Sequence, residues 1–403
     1  MKTNVAVFFG GRSVEHEISV ISALQAINAF NKEKYEVIPV YITKQGKWLT
    51  GKKLLDIAEY KDLKSLEASA EEVYMKPIYG DYNLYRANPK TGLFSKQSGI
   101  ITELHIAFPI LHGSHGEDGM FQGLLETIGI PFVGCDTLAS ANGMDKITMK
   151  MILSESGIPV VDYIWFTDRE WLSGRESIYK KIEDNLGYPV IVKPSNLGSS
   201  VGISKASDRK ELEKALENAI RFSSRIIVER MIENMKEINC SVLGDADLRE
   251  TSVCEEPISH KDFLTYEEKY GGGGSKNSGK TGMQSSEKKI PADLPEETST
   301  KIRQLASDTY RVLACNGVSR VDVMIDKDTN EIFVNEINTI PGSLSYYLWE
   351  ETGLSFNELI DKLIALGLKR KRDTERKTFS YDSNIFAMAG KGGIKGGMKN
   401  KNS

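Results

Sequence analysis

The residues best suited to chemistry fall in one stretch, Val318 to Gly342, which reads VSRVDVMIDKDTNEIFVNEINTIPG. Val321, Val323 and Ile325 alternate with Arg320, Asp322 and Met324. Side chains along a strand alternate faces, so Arg320 and Asp322 share one. A second strand leads from Ile332 and Val334 to Glu336 and Asn338, again two apart. The polar Asp326 to Glu331 segment between them has the composition of a hairpin turn. Closing that hairpin gathers Asp322, Glu336 and Asn338 beside Arg320. Two carboxylates and an amide suit a hard divalent cation such as magnesium, which also takes phosphate oxygens. A neighbouring guanidinium suits a carboxylate or a developing oxyanion. Such alternation is also ordinary in solvated antiparallel hairpins, so the other elements must decide.

Val5 to Phe9 is a continuous apolar run, hence a buried strand, and Gly10-Gly11-Arg12-Ser13 follows it. A helix is predicted next, with Ser13 as N-cap and Val14, Ile18, Ile21 and Leu24 as its apolar face. A strand, a glycine turn and a helix N-terminus form a seat for an anion or ligand. Glu15 in the first turn either serves that seat or simply complements the helix dipole. Tyr35 to Ile42 is a second strand of a parallel βαβ start, and Leu104 to Leu111 is another. The latter ends in His112-Gly113-Ser114-His115-Gly116-Glu117-Asp118-Gly119, and such turns at strand ends are where open α/β sheets bind ligands. Asn142 to Ser156 reads as one amphipathic helix carrying Met144-Asp145-Lys146.

The strand Tyr188 to Lys193 runs into Pro194-Ser195-Asn196-Leu197-Gly198-Ser199-Ser200-Val201-Gly202. Its amides and hydroxyls suit a phosphate cradle with Lys193 at the mouth, although an exposed Gly/Ser loop has the same composition. Ile226 to Glu229 and Glu237 to Leu243 are further strands. Ser259 to Gly282 ends in a Gly/Ser/Lys tract that cannot pack a core and is expected to be a mobile loop. Pro295 to Ala314 and Phe356 to Leu368 are predicted helices. From Lys369 a charge run and a Gly/Lys-rich end read as a solvated tail.

The whole chain bounds these readings. Its 403 residues accommodate two to three domains, and 40% apolar with 27% charged residues is an ordinary globular composition. A net charge of −4 provides no global basic field for nucleic acid or acidic membranes. Four cysteines without CxxC spacing read as reduced packing residues, which points to the cytoplasm. No apolar run reaches the length of a membrane span, and Val5 to Phe9 is too short for a signal peptide.

Taken in order, GGRSVEHEIS, HGSHGEDG, MDK, VIVKPSNLGSSVG, TYEEKY, SRVDVMID and NEINTIPG resemble the D-alanine–D-alanine ligases of the ATP-grasp superfamily. The resemblance runs from about residue 4 to about residue 368. It implies an α/β fold: a doubly wound parallel-sheet domain over residues 1–133, a central ATP-grasp subdomain over 134–228, and a catalytic ATP-grasp domain over 229–372. The last would carry a mobile lid at 262–291, with a flexible tail at 373–403. It further implies ATP, two magnesium or manganese ions on Asp322, Glu336 and Asn338, and a homodimer. Lys146, Lys193 and Ser200 fall on phosphate contacts, and Glu229 and Glu237 on adenine and ribose contacts. Arg320 falls on the arginine that stabilises the reacting carbonyl oxygen. Glu15, Ser199 and Tyr270 fall on a hydrogen-bonded triad, Lys269 beside the transferred phosphoryl group, and His112 in the first amino-acid site.

The acceptor end departs from the family pattern. The serine that follows NTxPG in many relatives, counted without gaps, is Tyr347 here. Gly342, Ser345, Tyr347 and Leu348 are therefore the acceptor-pocket candidates, with Ser345 or a backbone amide in the serine's place. The expected reaction is ATP-dependent joining of two D-alanines through an acyl phosphate, for peptidoglycan precursors. The alternatives are the same mechanism with another acceptor such as D-serine, and a catalytically silent nucleotide-binding module.

Overall fold

The computed structural model describes residues 2–89, 91–92, 95–96, 99–198, 201–258 and 288–380. The amino-terminal sheet contains β1 (Thr3–Gly10), β2 (Tyr35–Ile42), β3 (Trp48–Thr50), β4 (Glu71–Tyr74) and β5 (Asn83–Arg86). After a small two-stranded ribbon, β6 (Thr91–Gly92) with β7 (Ser95–Lys96), it is completed by β8 (Ile100–Glu103) and β9 (Ile106–Ile110). The strand order is β8-β5-β4-β3-β2-β1-β9. Only β2, β1 and β9 run parallel, and antiparallel strands extend them outward. The parallel part is covered on both faces, which is why β1 reads as an unbroken apolar run. Val5, Val7 and Phe9 face one core and Ala6 and Phe8 the other.

Helix α1 (His16–Ala29) starts two residues later than the sequence suggested. Ser13 does not cap it. Glu15 occupies the cap position and its amide donates to Ser13 Oγ at 3.0 Å, while Val14 lies outside the helix and is exposed. Further on come α2 (Leu63–Ser69), α3 (Met120–Ile128), α4 (Thr137–Met144) and α5 (Lys146–Glu155). The single helix expected over Asn142 to Ser156 is thus two, broken at Asp145. That residue takes extended backbone and caps α5 by accepting from the Thr148 amide at 2.8 Å.

A four-stranded antiparallel sheet follows, built from β10 (Tyr163–Thr167), β11 (Val190–Pro194), β12 (Ser204–Ala206) and β13 (Arg225–Arg230), in the order β10-β13-β11-β12. Helices α6 (Asp168–Asn185) and α7 (Arg209–Ala219) cover one face through Trp171, Ile182, Leu212 and Leu216. The third sheet contains β14 (Met235–Gly244), β15 (Arg249–Pro257), β16 (Lys288–Lys289), β17 (Gly317–Asp326) and β18 (Ile332–Asn338). Its order is β16-β15-β14-β17-β18, all antiparallel. Helix α8 (Glu296–Val312) packs Ile302, Ala306 and Tyr310 on one face of that sheet, joined by Met149 and Leu153 of α5. The opposite face carries the polar residues of the central hairpin.

Two more helices follow. Helix α9 (Tyr346–Glu351) comes after a tight turn, and the 20-residue α10 (Phe356–Glu375) is the last described element. The charge run from Lys369, expected in a solvated tail, continues α10 to Glu375. Lys369 pairs with Asp245 at 2.8 Å, and the Arg370 guanidinium donates to the Gly134 and Phe132 carbonyls. These partners, all distant in the sequence, hold charged side chains in a helix that composition alone assigns to solvent. Helix α10 does not cover the third sheet alone: Phe356, Leu359, Ile360 and Leu363 share a core with β1 and β9. The expected lid, including Lys269 and Tyr270, lies largely outside the described residues, as do Ser199, Ser200 and the chain beyond Ser380. All four cysteines are buried thiols.

Candidate active site

The polar face of the third sheet is laid out by register. Glu255 lies opposite Asn239, Asn239 opposite Asp322, and Asp322 opposite Glu336, so four strands contribute one row. The neighbouring row holds Ser241, Arg320 and Asn338. The Arg320 guanidinium grips both Asp322 oxygens, Nε to Oδ1 at 2.6 Å and a terminal nitrogen to Oδ2 at 2.7 Å. Asn338 Nδ2 adds a bond to Asp322 Oδ2 at 3.0 Å. Against the cost of burial, the Asp322 carboxylate holds the guanidinium well above its ordinary pKa.

Glu336 reaches this face because of a β-bulge. Ile332 and Val334 point into the core, and strict alternation would bury Glu336 with them. The register shifts between Asp322 and Val323, so Asn335 is the extra residue. Beyond it Ile337 takes the core side, and Glu336 and Asn338 turn to the polar face.

Cations from the second sheet and from α5 meet this row. Lys146 Nζ sits 3.2 Å from Glu336 Oε2 and donates to the Leu197 carbonyl at 2.9 Å. Lys193 of β11 donates to Asn335 Oδ1 at 3.2 Å and to Glu229 Oε2 at 2.8 Å. Lys150, one helical turn after Lys146, is fully buried and pairs with Glu229 Oε1 at 3.2 Å. Burial alone would raise the Glu229 carboxyl, but Lys150 and Lys193 outweigh it and hold it at about 2. Glu229 is therefore a buried ionic post between two lysines. Glu237, opposite Met324, is half-buried on the same face as Asn239.

The amino-terminal unit closes the other side. A methyl group on Gly113 would stand 2.5 Å from Glu15 Oε2, and one on Gly198 2.9 Å, so the Glu15 carboxylate fills the space between those two loops. Glu117 accepts from the Gly113 amide at 2.9 Å and the Ile340 amide at 3.0 Å, tying the HGSHGEDG turn to the NTIPG loop. Burial, then the nearby Glu15 charge, push its carboxyl up to about 8. His112 bonds to Ser22 Oγ at 3.0 Å, and burial lowers its pKa to about 4, so it is neutral at pH 7. Past half-buried Gly342, Ser343, Leu344 and Ser345 form a left-handed turn with φ of 53°, 54° and 49°. Left-handed backbone costs about 1–2 kcal/mol per non-glycine residue. It is strapped by the Ser343 amide to Ser22 Oγ at 2.9 Å and by Ser343 Oγ to Gln25 at 2.6 Å.

Comparison with known proteins decides what this arrangement is. The profile described as D-ala D-ala ligase N-terminus matches residues 4–135, and that described as D-ala D-ala ligase C-terminus matches residues 152–365. The D-alanine–D-alanine ligase of Thermosipho melanesiensis is 41% identical over 383 residues, 95% of this chain and 98% of that one. That of Acetivibrio thermocellus is 42% identical over 380 residues, 92% and 97%. The chain belongs to the D-alanine–D-alanine ligase family. Among solved structures, the Coxiella burnetii D-alanine-D-alanine ligase is 29% identical with a TM-score of 0.77, covering 96% of this chain and 98% of that one. The VanG D-Ala:D-Ser ligase of Enterococcus faecalis is 33% identical with a TM-score of 0.75, covering 91% and 100%. The chain thus shares the ATP-grasp fold of these ligases.

Within that family fold, the acceptor-end candidates sit as follows. Ser345 is fully buried, and its hydroxyl meets no hydrogen-bond partner among the described residues. Leu348 is fully buried. Tyr347 donates to Glu255 Oε1 at 3.0 Å. Sequence reasoning missed Lys150, Asn239, Glu255, Glu117 and Asn335. The i, i+4 spacing from Lys146 signals the first. The alternation of Glu237, Asn239 and Ser241 with Ile238, Cys240 and Val242 signals the second. Nothing local signals Asn335, because a bulge is defined by the partner strand.

Proposed function

We propose that the chain condenses two molecules of D-alanine with ATP, giving D-alanyl-D-alanine, ADP and phosphate for peptidoglycan precursors in the cytoplasm. The observation that carries this reading is the polar row of the third sheet, centred on Arg320 and Asp322, facing Lys146 and Lys193 of the opposite half.

The lysines neutralise the ATP phosphates and bring the γ-phosphoryl group to the first D-alanine. Glu15 holds that substrate's ammonium, and neutral His112 lines its pocket. Its carboxylate oxygen bonds to the γ-phosphorus as the bond to ADP breaks. Asp322, Glu336 and Asn338 are oxygen donors that converge at one end of the row, and they fit a magnesium ion, with the Asn338 amide rotated to present oxygen. When bound, the ion offsets repulsion between carboxylate and phosphate. The amine of the second D-alanine then attacks the acyl carbon, and phosphate leaves with the electrons of the carbon–oxygen bond. Arg320, fixed by Asp322 in one orientation, stabilises the tetrahedral oxyanion together with the Gly342 amide. Preorganisation of this kind lowers the barrier because the charge need not recruit dipoles during the step.

The test is steady-state ADP release with magnesium-ATP and D-alanine alone, with the product weighed by mass spectrometry. The D-alanyl-D-alanine mass supports the proposal. ADP release only on adding a second amino acid, such as D-serine, moves the activity to another acceptor. No release with any amino acid overturns ligation. A homodimer, as family resemblance implies, is checked by sedimentation of the same preparation.

A further inference from the structure

The row of the third sheet has two ends. At one end Glu336 and Asn335 meet Lys146 and Lys193, the phosphate side. At the other, three strands away, Glu255 is buried beside β16 and meets Lys288 and Tyr347. Lys288 Nζ lies 4.1 Å from the Tyr347 ring centroid and 3.5 Å from Glu255 Oε2, with its side chain 15% exposed. Glu255 Oε1 already accepts from Asn239 Nδ2 and the Tyr347 hydroxyl, both at 3.0 Å. Arg320, between the two ends, is close enough that its charge acts on Lys288, Glu255 and Tyr347.

We propose that Lys288 binds the carboxylate of the acceptor amino acid and so determines acceptor choice. This rests on the ligation reading above. An acceptor whose amine attacks beside Arg320 carries its carboxylate one carbon away, and a cation meets that anion more strongly than a neutral donor does. The hydroxyls of this loop do not serve: Ser343 Oγ donates to Gln25, Ser345 Oγ is fully buried within the left-handed turn, the Tyr346 ring stacks on Phe356, and the Tyr347 hydroxyl donates to Glu255. Lys288 offers three donors on a flexible stem, and the face of Tyr347 positions its ammonium by cation–π attraction. Tyr347 thereby takes part through the lysine it orients and not through its own hydroxyl.

The experiment compares D-alanine with D-alaninamide, which lacks the anionic charge, as competing acceptors, using the wild type, Lys288→Met, Lys288→Arg and the double variant Glu255→Gln/Lys288→Met. Losing one charge-assisted hydrogen bond is expected to raise the acceptor KM and reduce the preference for D-alanine about 10- to 100-fold, with the KM for ATP unchanged. Lys288→Arg restores the preference. The double variant, which removes both charges and so leaves no buried Glu255 anion, keeps the defect. Unchanged preference in Lys288→Met overturns the proposal. So does recovery of the preference in the double variant, because Lys288 would then only neutralise Glu255. A wild type that makes no dipeptide from D-alanine overturns the ligation reading itself.

Discussion

Arg320 and Asp322 are two residues apart and meet through paired, parallel hydrogen bonds, a geometry an ammonium cannot reproduce. Arg320→Lys keeps the charge and loses the fork. We expect kcat to fall on the order of 100-fold with the KM for ATP little changed, read from ADP release. Glu336→Gln keeps shape and removes a negative charge beside Lys146. ADP release should fall on the order of 10³-fold while the thermal transition stays in place, and near-normal turnover would refute the metal assignment. Glu229 also bears on stability, through its pairs with Lys150 and Lys193. Its carboxyl is near 2 in the folded chain and ordinary when unfolded, so its stabilisation is present above about pH 4.5 and is lost as pH falls towards 2. Glu229→Gln strands two buried lysines and should cost about 3–5 kcal/mol at pH 7. The variant's stability should also decline less on acidification, which urea unfolding at a series of pH values will measure.

At the scale of the element, the bulge at Asn335 turns a hairpin into a site. Side-chain direction has a period of two, so one additional residue moves everything beyond it to the other face. Deleting Asn335 should regularise the ladder and leave Glu336 and Asn338 on the polar face, since Glu336 would then directly follow core-facing Val334, but it removes the bulge's local twist and the oxygen to which Lys193 donates. Loss of both activity and stability is expected. A deletion variant with wild-type turnover and melting temperature would show that the bulge positions nothing. The left-handed turn at Ser343 to Ser345 belongs to the same logic, because its strain persists only through the straps to Ser22 and Gln25 on α1. The break between α4 and α5 places Lys146 at a helix start, with Lys150 one turn behind it.

For the whole molecule, the decisive feature is that the last helix packs on the first sheet. Leu363 is fully buried in a core it shares with β1, α1 and β9. Leu363→Ala should cost about 2–5 kcal/mol, measured by denaturant unfolding, although it lies far along the sequence from every strand it covers. The same closure lets Glu117, from the amino-terminal unit, hold the Ile340 amide of the NTIPG loop. No described helix is long and apolar enough to cross a membrane.

The periods of β1, β2, β9 and β17, and the residue types of β18, were legible in the chain itself, because a strand's alternation and a helix's stripe are set by local backbone sterics. So were Arg320, Asp322 and Asn338, and the lysines at the start of α5 and near the end of β11. The sequence could not reveal the bulge partner of Val323, the burial of Glu229 between Lys150 and Lys193, the contact of Lys288 with Glu255 and Tyr347, or the docking of α10 on the first sheet. Each depends on which distant segment lies opposite, and pairing between distant segments is decided by the packing of the whole core. Local composition therefore determined the elements and many of the chemical groups, and tertiary structure decided which groups face one another.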